Sequence, residues 1–96
     1  MLIDKGVTAG EVVTVKLING DELLTRLVEE KDTHYTVSKP MLLTVNQQGI
    51  GMMPYMFTVD PDKDIKINRA LVIVIANAEK TFANQYLEGT TGIKLA

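Results

Sequence analysis

Apolar and polar residues alternate along Glu11 to Ile18 and again along Asp21 to Glu30. A period of two puts successive side chains on opposite faces of a strand, so both stretches are expected to be strands. Asn19-Gly20 lies between them, and both residues tolerate the positive φ that a tight hairpin needs. Register then decides the loop length. A two-residue loop would set Val13, Val15 and Leu17 on one face with Glu22, Leu24, Arg26 and Val28. A three-residue loop, Ile18-Asn19-Gly20 with Gly20 left-handed, groups them instead with Leu23, Thr25 and Leu27. Only the second grouping gives a nearly continuous apolar face, and a slip of one residue would destroy it. The three-residue loop is expected.

A third strand is expected over His34 to Val45, with Pro40 marking an edge, a bend or a bulge. Gly49 and Gly51 mark a turn, followed by a short apolar segment, Met52 to Phe57, and a polar loop, Asp60 to Asp64. A fourth long strand is expected from Ile65 to Ile75. Its centre, Leu71-Val72-Ile73-Val74-Ile75, does not alternate, which is the pattern of a strand buried on both faces. One small sheet has difficulty covering both. The outer side of the hairpin, with Val12, Ile18, Leu24 and Val28, is also more apolar than a solvated face. Neighbouring subunits are therefore expected to cover part of this surface. From Ala78 to Glu88 the period changes. Phe82 with Tyr86, and Ala83 with Leu87, share a helical face, and Gly89 is placed just past the helix end.

Composition agrees with a β-rich single domain over residues 1–96, since Val, Ile and Thr supply 28 of the 96 residues. The longest unbroken apolar run, Ala70 to Ala76, falls far short of the roughly 20 residues a bilayer-spanning helix needs. No basic segment followed by an apolar stretch opens the chain, so no secretory signal is expected and a cytoplasmic location fits best. With no cysteine there is no disulfide, thiolate nucleophile or cysteine-based zinc site. A net charge of −2 gives no whole-chain attraction to nucleic acid or membranes, so any anion binding must be local.

Candidate chemistry is sparse. Ser38 and His34 share a strand face but lie roughly 13 Å apart at about 3.3 Å per residue, beyond the reach a serine nucleophile and its base require. Asp60-x-Asp62-x-Asp64 has the opening spacing of a calcium loop. Ile65 and Leu71 stand where that loop needs glycine and glutamate, which leaves a solvated acidic turn. Met52, Met53 and Met56 could offer thioethers to copper(I), but beside Tyr55 and Phe57 they read as packing or a protein contact. No enzyme, metal or cofactor is expected. Lys31, His34, Tyr35 and Lys39 surround the turn between the second and third strands, joining cations to two rings able to stack on a base.

One arrangement goes further. Val13-x-Val15-x-Leu17-x-x-Gly20-x-x-Leu23-x-Thr25-x-Leu27, followed by Asp32-Thr33-His34-Tyr35-Thr36-Val37, resembles the first motif of the Sm and Sm-like (LSm) proteins. The resemblance covers roughly Glu11 to Asn77. It departs from the family pattern in one extra residue within Glu29-Glu30-Lys31 and in Thr25 at a bending glycine. Tyr35 and Thr36 replace methionine and asparagine, and Ile75-Ala76-Asn77 stands where the family has Ile-Arg-Gly. The resemblance implies a small, strongly bent five-stranded Sm-like (SH3-like) barrel, here with a short C-terminal helix. It also implies rings formed by pairing sheet edges, and binding of single-stranded RNA or DNA near the pore. Carried over, the nucleic-acid contacts are His34, Tyr35, Thr36 and Asn77, with Lys31 beside them; Tyr35 would stack on a base. The non-alternating run Leu71, Val72, Ile73, Val74 and Ile75 is expected, from its own pattern, to form the subunit interface. The alternative reading is a structural or adaptor oligomer that binds other proteins through Met52, Met53, Tyr55, Met56 and Phe57 without binding nucleic acid. No membrane partner is implied.

Overall fold

A computed structural model of the chain describes residues 6–91. Six strands form one antiparallel sheet: β1 (Val12–Leu17), β2 (Glu22–Glu30), β3 (His34–Asn46), β4 (Gly49–Pro54), β5 (Ile65–Asn68) and β6 (Val72–Asn77). A single 3-10 turn, Arg69–Leu71, separates β5 from β6, and one helix, α1 (Lys80–Thr91), follows. Strand order is β4-β3-β2-β1-β6, with β5 pairing the first half of β3. Among the described residues no strand pairs the outer side of β4 or β6, so the sheet is not closed into a barrel.

The hairpin joining β1 to β2 has the expected three-residue loop. Leu17 N–H donates to the Asp21 carbonyl at 2.9 Å, and Gly20 N–H donates to the Leu17 carbonyl at 2.9 Å. Gly20 closes the turn at φ +96°, a conformation that costs a side-chain-bearing residue about 1–2 kcal/mol. Val13 sits across from Thr25, and Val15 across from Leu23. Val13, Val15, Leu17, Leu23 and Leu27 are accordingly buried together with Tyr35 and Val37 in the main core.

Pro40 marks a bulge. Arg26 pairs with Ser38 and Leu24 with Met41, so Lys39 and Pro40 together face Thr25 alone. A residue without an N–H is tolerated where the ladder is interrupted. Lys39 takes φ +50° there, and the buried Thr25 hydroxyl donates to the Ser38 carbonyl at 2.7 Å.

Three expectations are corrected. Six strands replace five, because Gly49–Pro54 pairs along β3 instead of merely leading out of a turn, and because the stretch from Ile65 to Ile75 is broken at Arg69. The break is local: the Asn68 side chain accepts from Ala70 N–H at 2.9 Å and starts the 3-10 turn. Second, the run Leu71–Ile75 is not one regular strand, since Leu71 ends the 3-10 turn and the strand after it is bulged. Lys16 pairs with Val74 and Leu17 with Val72, so Ile73 is the extra residue of a bulge. That bulge turns Val72 and Ile75 onto the core and leaves Leu71, Ile73 and Val74 exposed. Third, Gly89 lies inside α1, not beyond it, and the last turn is held by the Thr90 hydroxyl donating to the Tyr86 carbonyl at 2.8 Å.

Part of the outer face of the hairpin, Val12 and Leu24, is covered by the chain itself. Val12, Leu24 and Tyr86 form a second core, with Phe82, Ala83 and Leu87 of α1 packed on it beside Met41, Leu43 and Met52. The expected i,i+4 pairs therefore do share the buried face of the helix. Ile18 and Val28 stay exposed. Tyr86 fixes the helix to the sheet, its hydroxyl lying 2.7 Å from the Ser38 carbonyl and 2.9 Å from the Lys39 carbonyl.

Candidate nucleic-acid interface

The turn between β2 and β3 meets the 3-10 turn after β5 at one corner of the sheet. The two are tied through backbone, Arg69 N–H donating to the Thr33 carbonyl at 3.0 Å, and the first turn is closed within itself by Lys31 N–H donating to the His34 carbonyl at 2.9 Å. His34 sits across from Asn68, and Thr36 across from Lys66. Strand alternation sends Tyr35 and Val37 into the core and leaves His34 and Thr36 half-buried. His34, Thr36, Lys66 and Asn68 thus share the outer face of the β3–β5 pair, while Ile65 and Ile67 pack inward.

Arg69 crowns this corner. Its guanidinium donates to a Glu30 carboxylate oxygen at 2.7 Å and to the Lys31 carbonyl at 3.1 Å. Its carbon centre stands 4.8 Å from the Tyr35 ring centroid, within range of a cation–π contact. The hydrogen bond to Glu30 raises the already high pKa of Arg69, with smaller contributions from the charges of Tyr35, Glu30 and Asp32 against partial desolvation. Lys31 pairs with Glu29 at 3.6 Å, and the Thr33 hydroxyl lies 3.1 Å from His34 Nδ1. Three cations, Lys31, Lys66 and Arg69, are matched in this neighbourhood by Glu29, Glu30 and Asp32.

The sequence-derived residues divide. Lys31, His34 and Thr36 come together here. Tyr35 is at the same place but only 6% exposed, with its ring under Arg69, so neither ring face is open to a base. A stacking role for Tyr35 is corrected on that ground. Asn77 is not at this corner: it pairs with Val13 at the other end of β6, beside α1. Sequence reading missed Asn68 and Arg69, because it looked for the second turn after Ile75. A usable signal was present, since Asn68-Arg69 is the one polar interruption of the apolar stretch from Ile67 to Ala76.

The methionine-rich segment runs along β4 and into the loop after it. Met52 packs into the second core, and Met53, Met56 and Phe57 are exposed, Phe57 at 72%. Tyr55 is held by its N–H donating to the Pro40 carbonyl at 2.9 Å and its hydroxyl donating to Asp21 at 3.2 Å. Asp60 forms the expected acidic turn by accepting from Asp62 N–H at 2.9 Å. Among the described residues, no three His, Asp or Glu side chains are grouped to hold a metal, and no helix is long and apolar enough to cross a membrane.

Neither a family model nor a curated protein sequence matches this chain.

Proposed function

We propose that this chain is a non-enzymatic, Sm-like protein that assembles into rings and binds single-stranded nucleic acid, RNA foremost, at the His34–Arg69 corner. In the ring each sheet acts as a bent, barrel-like subunit. The open β6 edge, with Leu71, Ile73 and Val74 outside, receives the open β4 edge of the next copy, with Ile50 and Met53 outside. Such pairing removes two exposed edges that would otherwise template aggregation.

The observation that carries this reading is the backbone junction of the β2–β3 turn with the Asn68-Arg69 turn. It sets Arg69 beside the turn that carries His34, although the resemblance put the family's arginine position at Ala76. Arg69 and Lys31 would take phosphate or base oxygens, Asn68 and Thr36 would hydrogen-bond a base, and His34 would contact the base or phosphate. Repetition around a ring converts weak single contacts into avidity. Fluorescence-anisotropy titration of the purified protein with labelled oligo(U) and oligo(dT), at two salt concentrations, tests it. Saturable binding that weakens with salt is expected, with the RNA/DNA ratio reporting whether a 2′-hydroxyl is read. Absence of binding to both would overturn it.

A second reading has its own support. The balance of three cations and three carboxylates at the corner, and the exposure of Phe57 and Met56, favour an assembled adaptor that captures other proteins through Met52–Phe57. It becomes the better account if the titration is flat.

A further inference from the structure

Of the five asparagines in the chain, only Asn19 is followed by glycine. The pair forms the tip of the β1–β2 hairpin, and both residues are exposed. Asp21 holds both ends of the Asn19 amide. Asn19 Oδ1 accepts from Asp21 N–H at 3.0 Å, and Asn19 Nδ2 donates to the Asp21 carboxylate at 3.0 Å. Gly20 follows at φ +96°, and no atom beyond its chain neighbours lies within 4 Å of where a Cβ would stand.

The β3–β4 hairpin supplies a comparison within the same molecule. Asn46 is also exposed, and its Oδ1 also accepts from the residue two positions on, Gln48 N–H at 2.8 Å. The residue between them is Gln47, whose Cβ crowds the backbone nitrogen that a glycine leaves bare.

We propose that Asn19 is a self-modification site, at which the Gly20 backbone nitrogen cyclises onto the Asn19 side chain and ammonia leaves. The Gly20 N–H gives its proton to solvent base, and the nitrogen forms a bond to Asn19 Cγ. The Cγ–Nδ2 bond then breaks, and ammonia departs with a proton taken from solvent. Water opens the five-membered imide at either carbonyl, leaving aspartate or isoaspartate. One water is consumed and one ammonia released, with no oxidation or reduction. Asp21 N–H donates to the oxygen on which negative charge develops during the attack. The opposing contact is the Gly20 N–H bond to the Leu17 carbonyl, at 2.9 Å, which must open first. At an exposed hairpin tip such opening is local and needs no global unfolding. The folded chain is therefore the reactant.

The product disturbs more than the tip. Isoaspartate adds a main-chain carbon to a loop whose length fixes the pairing of Val13 with Thr25 and Val15 with Leu23. Either product sets a second carboxylate beside that of Asp21, to which the Tyr55 hydroxyl donates at 3.2 Å. Ile18 N–H, bonded to the Leu71 carbonyl at 2.9 Å, ties the same tip to the turn before β6.

Peptide mapping by mass spectrometry tests the assignment, on the whole protein kept folded in warm, mildly alkaline buffer and on a parallel sample in urea. Tryptic cleavage after Lys16 and Arg26 isolates the tip in one peptide. In the folded sample that peptide is expected to gain unit mass and to split into aspartate and isoaspartate forms, while Asn46 stays intact. Isoaspartate marks the imide, because direct hydrolysis of the amide gives aspartate alone. Gly20→Ala should slow the gain in urea, where the cost of its folded φ plays no part. An Asn19 that stays intact in the folded sample, equal conversion at Asn46, aspartate without isoaspartate, or an unchanged rate in Gly20→Ala would overturn the assignment.

Discussion

Replacing Tyr86 by alanine is expected to remove about 3–5 kcal/mol of stability, the largest loss from any single truncation of the helix. The ring is 2% exposed and forms the second core with Val12 and Leu24. Its hydroxyl also holds the Ser38 and Lys39 carbonyls at the bulge, where Lys39 takes a left-handed φ. Against a total of about 5–15 kcal/mol for a domain of this size, the variant sits near the unfolding threshold. Tyr86→Phe keeps the packing and should lose only about 1–2 kcal/mol, because the Ser38 carbonyl still accepts from Thr25. Urea unfolding of the two variants separates packing from hydrogen bonding.

The phenol adds a pH signature. Burial pushes its pKa up from the ordinary value of 10.0, partly offset by the Arg26 backbone and the Thr25 hydroxyl. The folded state therefore disfavours the phenolate. Its contribution is fully present below the ordinary tyrosine value and is lost as pH rises through the raised one. The wild-type urea midpoint should fall at strongly alkaline pH, and Tyr86→Phe should flatten that fall. Equal alkaline slopes in the two proteins would remove Tyr86 as its source.

Ile73→Lys is expected to dissolve the proposed ring to single chains while leaving each chain folded. Ile73 is 61% exposed, is the bulged residue of β6, and lies outside the core that Val72 and Ile75 join. A lysine there faces water in the single chain but would be forced against Ile50 and Met53 of a neighbouring β4 edge in the ring. Charged side chains on open edges block pairing in just this way. Light scattering after gel filtration should show wild type as a multiple of the chain mass and the variant as one chain. A wild-type protein already at single-chain mass would contradict the edge-to-edge reading.

The hairpin was legible because two independent constraints met at one place. Gly20 accepts a φ other residues resist, and only one register aligns Val13, Val15 and Leu17 with Leu23 and Leu27. The helix was legible from Phe82, Ala83, Tyr86 and Leu87, although its cover over Val12 and Leu24 was assigned to neighbouring subunits. An apolar run states that something covers it, without saying whether the cover is the same chain. Leu71–Ile75 was read as part of one regular strand, but a bulge at Ile73 breaks the period of two, so within the chain two of its residues face in and three face out. The corner was half legible. Tyr35 shares its side of β3 with Val37, and that alternation alone assigns it to the core. Arg69 was hidden because a three-residue turn capped by Asn68 interrupts what composition presents as one strand.

The central claim is that Arg69 is the nucleic-acid contact of an assembled ring. Its most direct test is the oligo(U) titration repeated with Arg69→Ala, after light scattering has shown that the variant keeps the wild-type mass and urea unfolding that it keeps its fold. Loss of a charge-assisted, planar contact at every subunit should weaken binding by about tenfold or more and reduce its salt dependence. Wild-type affinity in that intact variant would contradict the account.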